Sequence, residues 1–139
     1  MTFQNPSNTD ITALLLRARC IAVVGLSGNP ARPSYEVTET MVDFGYNIIP
    51  INPTLTAWQK TEAFPTLAAA VTSGARIDIV NVFRQPRHVG AVVDECLQLK
   101  LPALWLQLGV IDETAAVRAR DAGMTVVMDR CIKVERMRI

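Results

Sequence analysis

Residues 21–35, IAVVGLSGNPARPSY, join an apolar run to a glycine, a polar turn holding two prolines, and the start of a helical pattern. Cys20 to Val24 is apolar throughout and stops at Gly25, as expected of a short strand buried on both faces. From Ser34 to Phe44, Val37, Met41 and Phe44 share one helical face, and Gly45 supplies a residue suited to a left-handed cap. Strand, glycine turn and helix in that order predict the opening of a βαβ unit, whose first turn lies at the carboxyl edge of a parallel sheet.

The rest of the chain repeats the pattern. Ahead of the first strand, Ile11, Leu14, Leu15 and Ala18 mark a helix behind the cap candidates Thr9 and Asp10. Tyr46 to Ile51 reads as the second strand, cut off by Asn52-Pro53. Residues 54–65 read as a long loop, with a short helix over Thr66 to Thr72. Ile77 to Phe83 is the third strand, and Val89, Val92, Val93, Cys96 and Leu97 give a strongly periodic helix beyond Pro86. Ala103 to Leu108 is the fourth strand, Asp112 caps a helix that ends at Gly123, and Thr125 to Met128 is the fifth. The tail from Asp129 is too short for another strand–helix unit. Buried strands alternating with helices predict an α/β fold: one doubly wound domain over residues 1–139, its five-stranded, mostly parallel sheet ordered 3-2-1-4-5 with helices on both faces.

Composition narrows the function. Half of the 139 residues are hydrophobic, enough for one substantial core. Fourteen basic and thirteen acidic side chains leave a net charge of +1, without the basic excess of a nucleic-acid binder. The basic tail, Arg130, Lys133, Arg136 and Arg138, is interrupted by Glu135 and reads as a solvated, partly paired terminus. No apolar run approaches the roughly 20 residues of a membrane span, and MTFQNPSNTD has no signal-peptide pattern. Cys20, Cys96 and Cys131 are odd in number and widely spaced, which predicts reduced thiols, a cytoplasmic location and no zinc site.

Chemistry is expected at the carboxyl edge. Gly25 lets the chain turn tightly, Gly28 tolerates positive φ, and Ser27 offers a hydroxyl and a backbone N–H to a phosphate oxygen. The helix beginning near Ser34 directs its free N–H groups to the same place, and Arg32 adds a fixed charge. The dinucleotide fingerprint is poorly met, because Ser27 and Pro30 stand where glycines belong and Asn52-Pro53 ends the second strand without a carboxylate. No Walker lysine motif occurs. A nucleotide with a ribose phosphate suits such an uncharged strand end, with Arg32, Lys60, Arg84 and Arg87 on nearby loops. Phe83 can pack on a flat or aliphatic ligand face, and Gln107 can hydrogen-bond an amide-bearing arm beside Gly109. His88 reads as a helix-start residue, and no carboxylate pair suggests acid–base catalysis. Cys131 falls at the ligand edge between Arg130 and Lys133, cations that favour a thiolate.

Taken together, IAVVGLSGNPARPSY, IIPINP, DIVNVFRQP, LWLQLGV and MDRCIKVE follow the order of motifs in the small stand-alone CoA-binding proteins of Rossmann-like fold, which this chain resembles from about Ile11 onward. A more distant similarity is to the N-terminal domain of the succinyl-CoA synthetase α subunit. The resemblance implies coenzyme A or a short acyl-CoA as ligand. It places Gly25, Ser27, Arg32, Pro33, Ser34 and Tyr35 at the phosphates and Asn52 and Pro53 beside the adenosine. It puts Phe83, Arg84 and Pro86 along the pantetheine or 3′-phosphate, and Gln107, Leu108 and Gly109 at the far end. Arg136 stands where the family often has histidine, and the loop around Trp58 and Lys60 diverges. The catalytic histidine of the synthetases has no counterpart here, so a binding or sensor role is expected rather than catalysis. Two alternatives stand beside it: an NAD(P)-dependent enzyme using the same crevice, and a thiol protein forming a mixed disulfide with CoA through Cys131. Homo-oligomerisation is left open.

Overall fold

The computed structural model describes residues 2–139. Five strands form one parallel sheet: β1 (Cys20–Val24), β2 (Asn47–Ile51), β5 (Ile79–Val82), β6 (Ala103–Leu106) and β7 (Thr125–Met128). Two more, β3 (Ala57–Trp58) and β4 (Thr61–Glu62), make a small antiparallel hairpin where a plain loop was expected. Helices α1 (Asn8–Arg17), α2 (Pro33–Asp43) and α6 (Ile132–Met137) cover one face of the sheet. Helices α3 (Leu67–Thr72), α4 (Val89–Gln98) and α5 (Glu113–Asp121) cover the other.

The apolar run of β1 divides by alternation. Ile21 and Val23 pack with Leu14, Val37, Met41 and Ile132, whereas Ala22 and Val24 pack with Leu67, Val93 and Ala116. A strand paired on both sides and covered on both faces has no solvent-facing position, which is why its sequence shows no polar alternation. The caps follow local chemistry: Thr66 Oγ1 accepts from Ala69 N and Asp112 Oδ1 from Ala115 N, both at 3.0 Å. At the first helix the cap is Ser7, whose Oγ accepts from Asp10 N at 3.1 Å, so the helix starts earlier than the expected Thr9 or Asp10.

The α/β class and the parallel sheet are as expected, but the strand order is corrected. The sheet runs β2-β1-β5-β6-β7, which is 2-1-3-4-5 when the five strands alone are counted. The third strand pairs with β1 through Ile21–Ile79 and Val24–Val82, and not with β2. Pro50 supplies the reason. It sits within β2 and has no N–H to give a second neighbour, so β2 belongs at the edge of the sheet. All four residues of β5 are buried, as a central position demands. The order also moves the topological switch point, where connections leave in opposite directions, to the gap between β1 and β5. The tail folds further than expected as well, since α6 buries Ile132 against the first face.

Candidate functional site

The switch point is built around Gly25. Its N–H donates to Ile51 O on one flank, while Phe83 N donates to Val24 O on the other. Gly25 has φ +84°, and a Cβ there would lie 2.5 Å from Phe83 O and 2.8 Å from Arg84 Cδ. The glycine is therefore required twice over, by its left-handed backbone and by the approach of the β5 carboxyl end.

Beyond Gly25 the loop is held by its own side chains. Ser27 Oγ accepts from Asn29 N and Asn29 Oδ1 accepts from Ala31 N, both at 3.0 Å. Ser34 Oγ accepts from Ser27 N at 3.0 Å, so the Ser27 N–H expected to face a phosphate is already engaged. The hydroxyl protons of Ser27 and Ser34 remain for a ligand. Trp58, only 3 % exposed, donates its indole Nε1 to Ser27 O at 3.2 Å, and Leu55 approaches Gly28. The divergent hairpin region thus buttresses the loop from behind. Its sequence signal was a tryptophan in a polar segment.

A cleft of about 840 Å³ opens at this edge. Gly25, Ser27, Arg32, Pro33 and Ser34 form one wall, Phe83, Arg84 and Pro86 another, and Gln107, Leu108 and Gly109 the far end. Val37, Gln85 and Val110 complete the lining unpredicted, and Cys131 joins it. Three expected residues lie outside the cleft wall. Tyr35 turns toward the hairpin, its ring centroid 5.0 Å from that of Trp58 and its hydroxyl accepting from Gln59 Nε2. Asn52 ties the β1 and β2 loops together: its Nδ2 donates to Leu26 O at 2.9 Å, and its Oδ1 accepts from Thr54 N. Exposed Pro53 follows it. Arg136, at the divergent tail position, donates to Tyr46 Oη at 3.1 Å and stacks on Phe44, away from the cleft.

The cleft is cationic: Arg32 and Arg84 line it, with no acidic residue in the lining, and Arg87 lies on the turn that follows Pro86. Arg32, Arg84 and Arg87 pair with no carboxylate among the described residues. His88 is half-buried, and its imidazole is held below the usual 6.5, by desolvation first and then by the guanidinium groups of Arg84 and Arg87. Cys131 differs from expectation, because its basic neighbours are spent elsewhere: Arg130 pairs with Glu135 and Lys133 with Glu36. Burial pushes the Cys96 thiol up to about 12, so it is inert. Among the described residues no cluster of His, Cys, Asp and Glu could hold a metal, and no helix is long and apolar enough to cross a membrane.

A cleft that combines loop hydroxyls, unpaired arginines and an apolar wall suits an anionic ligand with a long, partly apolar arm. The chain is similar to several known proteins. The uncharacterized protein YneT of Bacillus subtilis (strain 168) is 43 % identical over 131 residues, covering 94 % of this chain and 95 % of YneT. The cell-free ID.343 protein from Thermus thermophilus superposes with a TM-score of 0.85 at 30 % identity, covering 96 % of this chain and 98 % of that one. The dinucleotide-forming acetyl-coenzyme A synthetase 1 of Ca. Korarchaeum cryptofilum shares the fold at a TM-score of 0.67 and 19 % identity, over 79 % of this chain and 26 % of the synthetase. Residues 19–137 match the CoA binding domain family, and with a relative of this identity and coverage beside that match, the chain belongs to it.

Proposed function

We propose that the protein binds coenzyme A in the cleft between β1 and β5, as a binding or sensor protein of the cytoplasm rather than an enzyme. One observation carries the reading: two arginines without carboxylate partners, Arg32 and Arg84, line an apolar-walled cleft together with a loop whose free hydroxyls face it. In this arrangement Ser27, Ser34 and Arg32 hold the diphosphate, with Gly25 and Pro33 shaping the turn beneath it. Arg84 supplies charge to the 3′-phosphate, and Phe83 and Pro86 flank the pantetheine arm. Gln107, Leu108 and Gly109 meet its far end. Asn52 and Pro53 act on the adenosine side by fixing the loops, and Tyr35 by bracing the hairpin. The family membership points the same way.

The same cleft is the place to test the nicotinamide alternative. At one hundred times the dissociation constant a specific ligand stabilises the fold by about 2.7 kcal/mol. A thermal-shift comparison should therefore show a clear rise with CoA and none with NAD or NADP. A rise with NADP alone would replace this reading with the enzymatic one.

Cys131 lines the cleft and supports a second reading. Its thiolate can attack CoA disulfide, forming the Cys131–CoA disulfide and releasing one CoA thiol. Intact mass after incubation with CoA disulfide should show one adduct that is absent from Cys131→Ser. No adduct, or one that survives the substitution, would remove Cys131 from this role.

A further inference from the structure

The far end of the cleft holds a hydrogen-bond donor that has no acceptor among the described residues. Gln107 is 5 % exposed, and its Oε1 accepts from Ile132 N at 2.9 Å. A backbone N–H can only donate, so the amide oxygen must face it and the NH2 group must face the other way. That NH2 group donates to nothing among the described residues, while Gln107 lines the cleft. The polar groups beside it are already engaged: Gly109 N donates to Asp129 Oδ1 at 2.7 Å and Trp105 Nε1 to Arg130 O at 2.8 Å. The NH2 group still meets the solvent of the cleft, so a ligand carbonyl placed there replaces a water and gains the modest net value of one hydrogen bond.

Leu108 and Cys131 lie beside this amide in the cleft and also border a second, mostly polar groove of about 390 Å³, whose lining includes Asp129, Arg130, Glu135 and Arg138. A short group attached beyond an arm that ends at Gln107 therefore meets Leu108 and Cys131.

Resting on the CoA reading above, we propose that the cognate ligand is a short acyl-CoA, with Gln107 donating to the thioester carbonyl and the acyl group lying against Leu108 and Cys131. The sulfur of free CoA is a weak acceptor and leaves the amide unanswered. Carbonyls within the pantetheine arm share this chemistry, so the experiment separates them from the thioester. Calorimetry is carried out with CoA, acetyl-CoA and S-ethyl-CoA, a thioether of similar size that lacks the carbonyl. Wild-type protein should bind acetyl-CoA about two- to tenfold more tightly than S-ethyl-CoA. Gln107→Glu keeps an acceptor for Ile132 N–H but removes the donor, and should bring that ratio to one or below. Gln107→Met removes the donor without adding charge and should also bring the ratio to one. A wild-type ratio of one would overturn the proposal. So would equal weakening of all three ligands in Gln107→Met, which would assign the amide to the pantetheine arm. If none of the ligands binds wild-type protein, the CoA reading itself fails. If CoA binds without acyl preference, only this inference does.

Discussion

Gly25→Ala tests whether the β1–β5 switch point is built as described. The substitution forces an L-residue into φ +84°, at a cost of about 1–2 kcal/mol. The new methyl group would also lie 2.5 Å from Phe83 O, a backbone atom fixed by the β1–β5 ladder, so a strand end must shift. Overpacking of this kind adds about 1–3 kcal/mol. The sum, about 2–5 kcal/mol, corresponds to a fall in melting temperature of roughly 8–20 °C for a chain of this size. Gly28→Ala is the control: its nearest neighbour is the flexible end of Leu55 at 3.2 Å, and it should stay within about 1 kcal/mol of wild type. Urea unfolding of the three proteins measures the cost directly. Where Gly25→Ala remains folded, displacement of the Ser27–Arg32 loop should weaken CoA binding by roughly tenfold or more, the value of one charged hydrogen bond. A Gly25→Ala protein within 0.5 kcal/mol of wild type, a threshold set at about the scatter of surface substitutions, with unchanged CoA affinity would refute the reasoning.

Arg32→Ala should weaken CoA by about 1.5–3 kcal/mol in calorimetry while leaving stability unchanged, because the side chain is exposed and unpaired. Unchanged affinity would remove Arg32 from the phosphate site. Asp78 gives the fold an acid-sensitive clamp at the opposite, amino edge of the sheet. Burial pushes its carboxyl up, but hydrogen bonds from the Arg19 and Cys20 N–H groups and from Arg76 outweigh this, and the net value lies below 3.8. Because the folded value is depressed, the clamp is fully present above the unfolded value and is lost as pH falls through the folded one. Asp78→Asn should therefore be less stable at neutral pH, with the difference from wild type narrowing below about pH 4 in urea titrations. A constant difference across that window would show that the carboxylate charge is not what matters.

Much of this architecture is legible in the sequence because two-sided burial leaves a plain mark. Runs such as IAVV and ALWL admit no polar residue, and each is followed by a turn and a helix. The strand order was legible only through Pro50, whose missing N–H confines β2 to an edge. The hairpin escaped notice because its turn residues, Gln59 and Lys60, adopt φ 47° and 67° without a glycine to announce it. At the site, the residue types were readable but their mutual commitments were not. Nothing local in the sequence says that Ser34 Oγ takes the Ser27 N–H, or that Lys133 is drawn from Cys131 to Glu36 across the fold. Gln107 shows the reverse: an ordinary glutamine in sequence becomes distinctive once Ile132 fixes its orientation.

The central claim is that the cleft between β1 and β5 is a CoA site. Isothermal titration of the purified protein with CoA, and separately with NADP, tests it most directly. The account predicts saturable one-to-one binding of CoA that weakens on Arg32→Ala, and no heat with NADP. The absence of heat with CoA at about tens of micromolar protein, where even a micromolar dissociation constant would be visible, would contradict it.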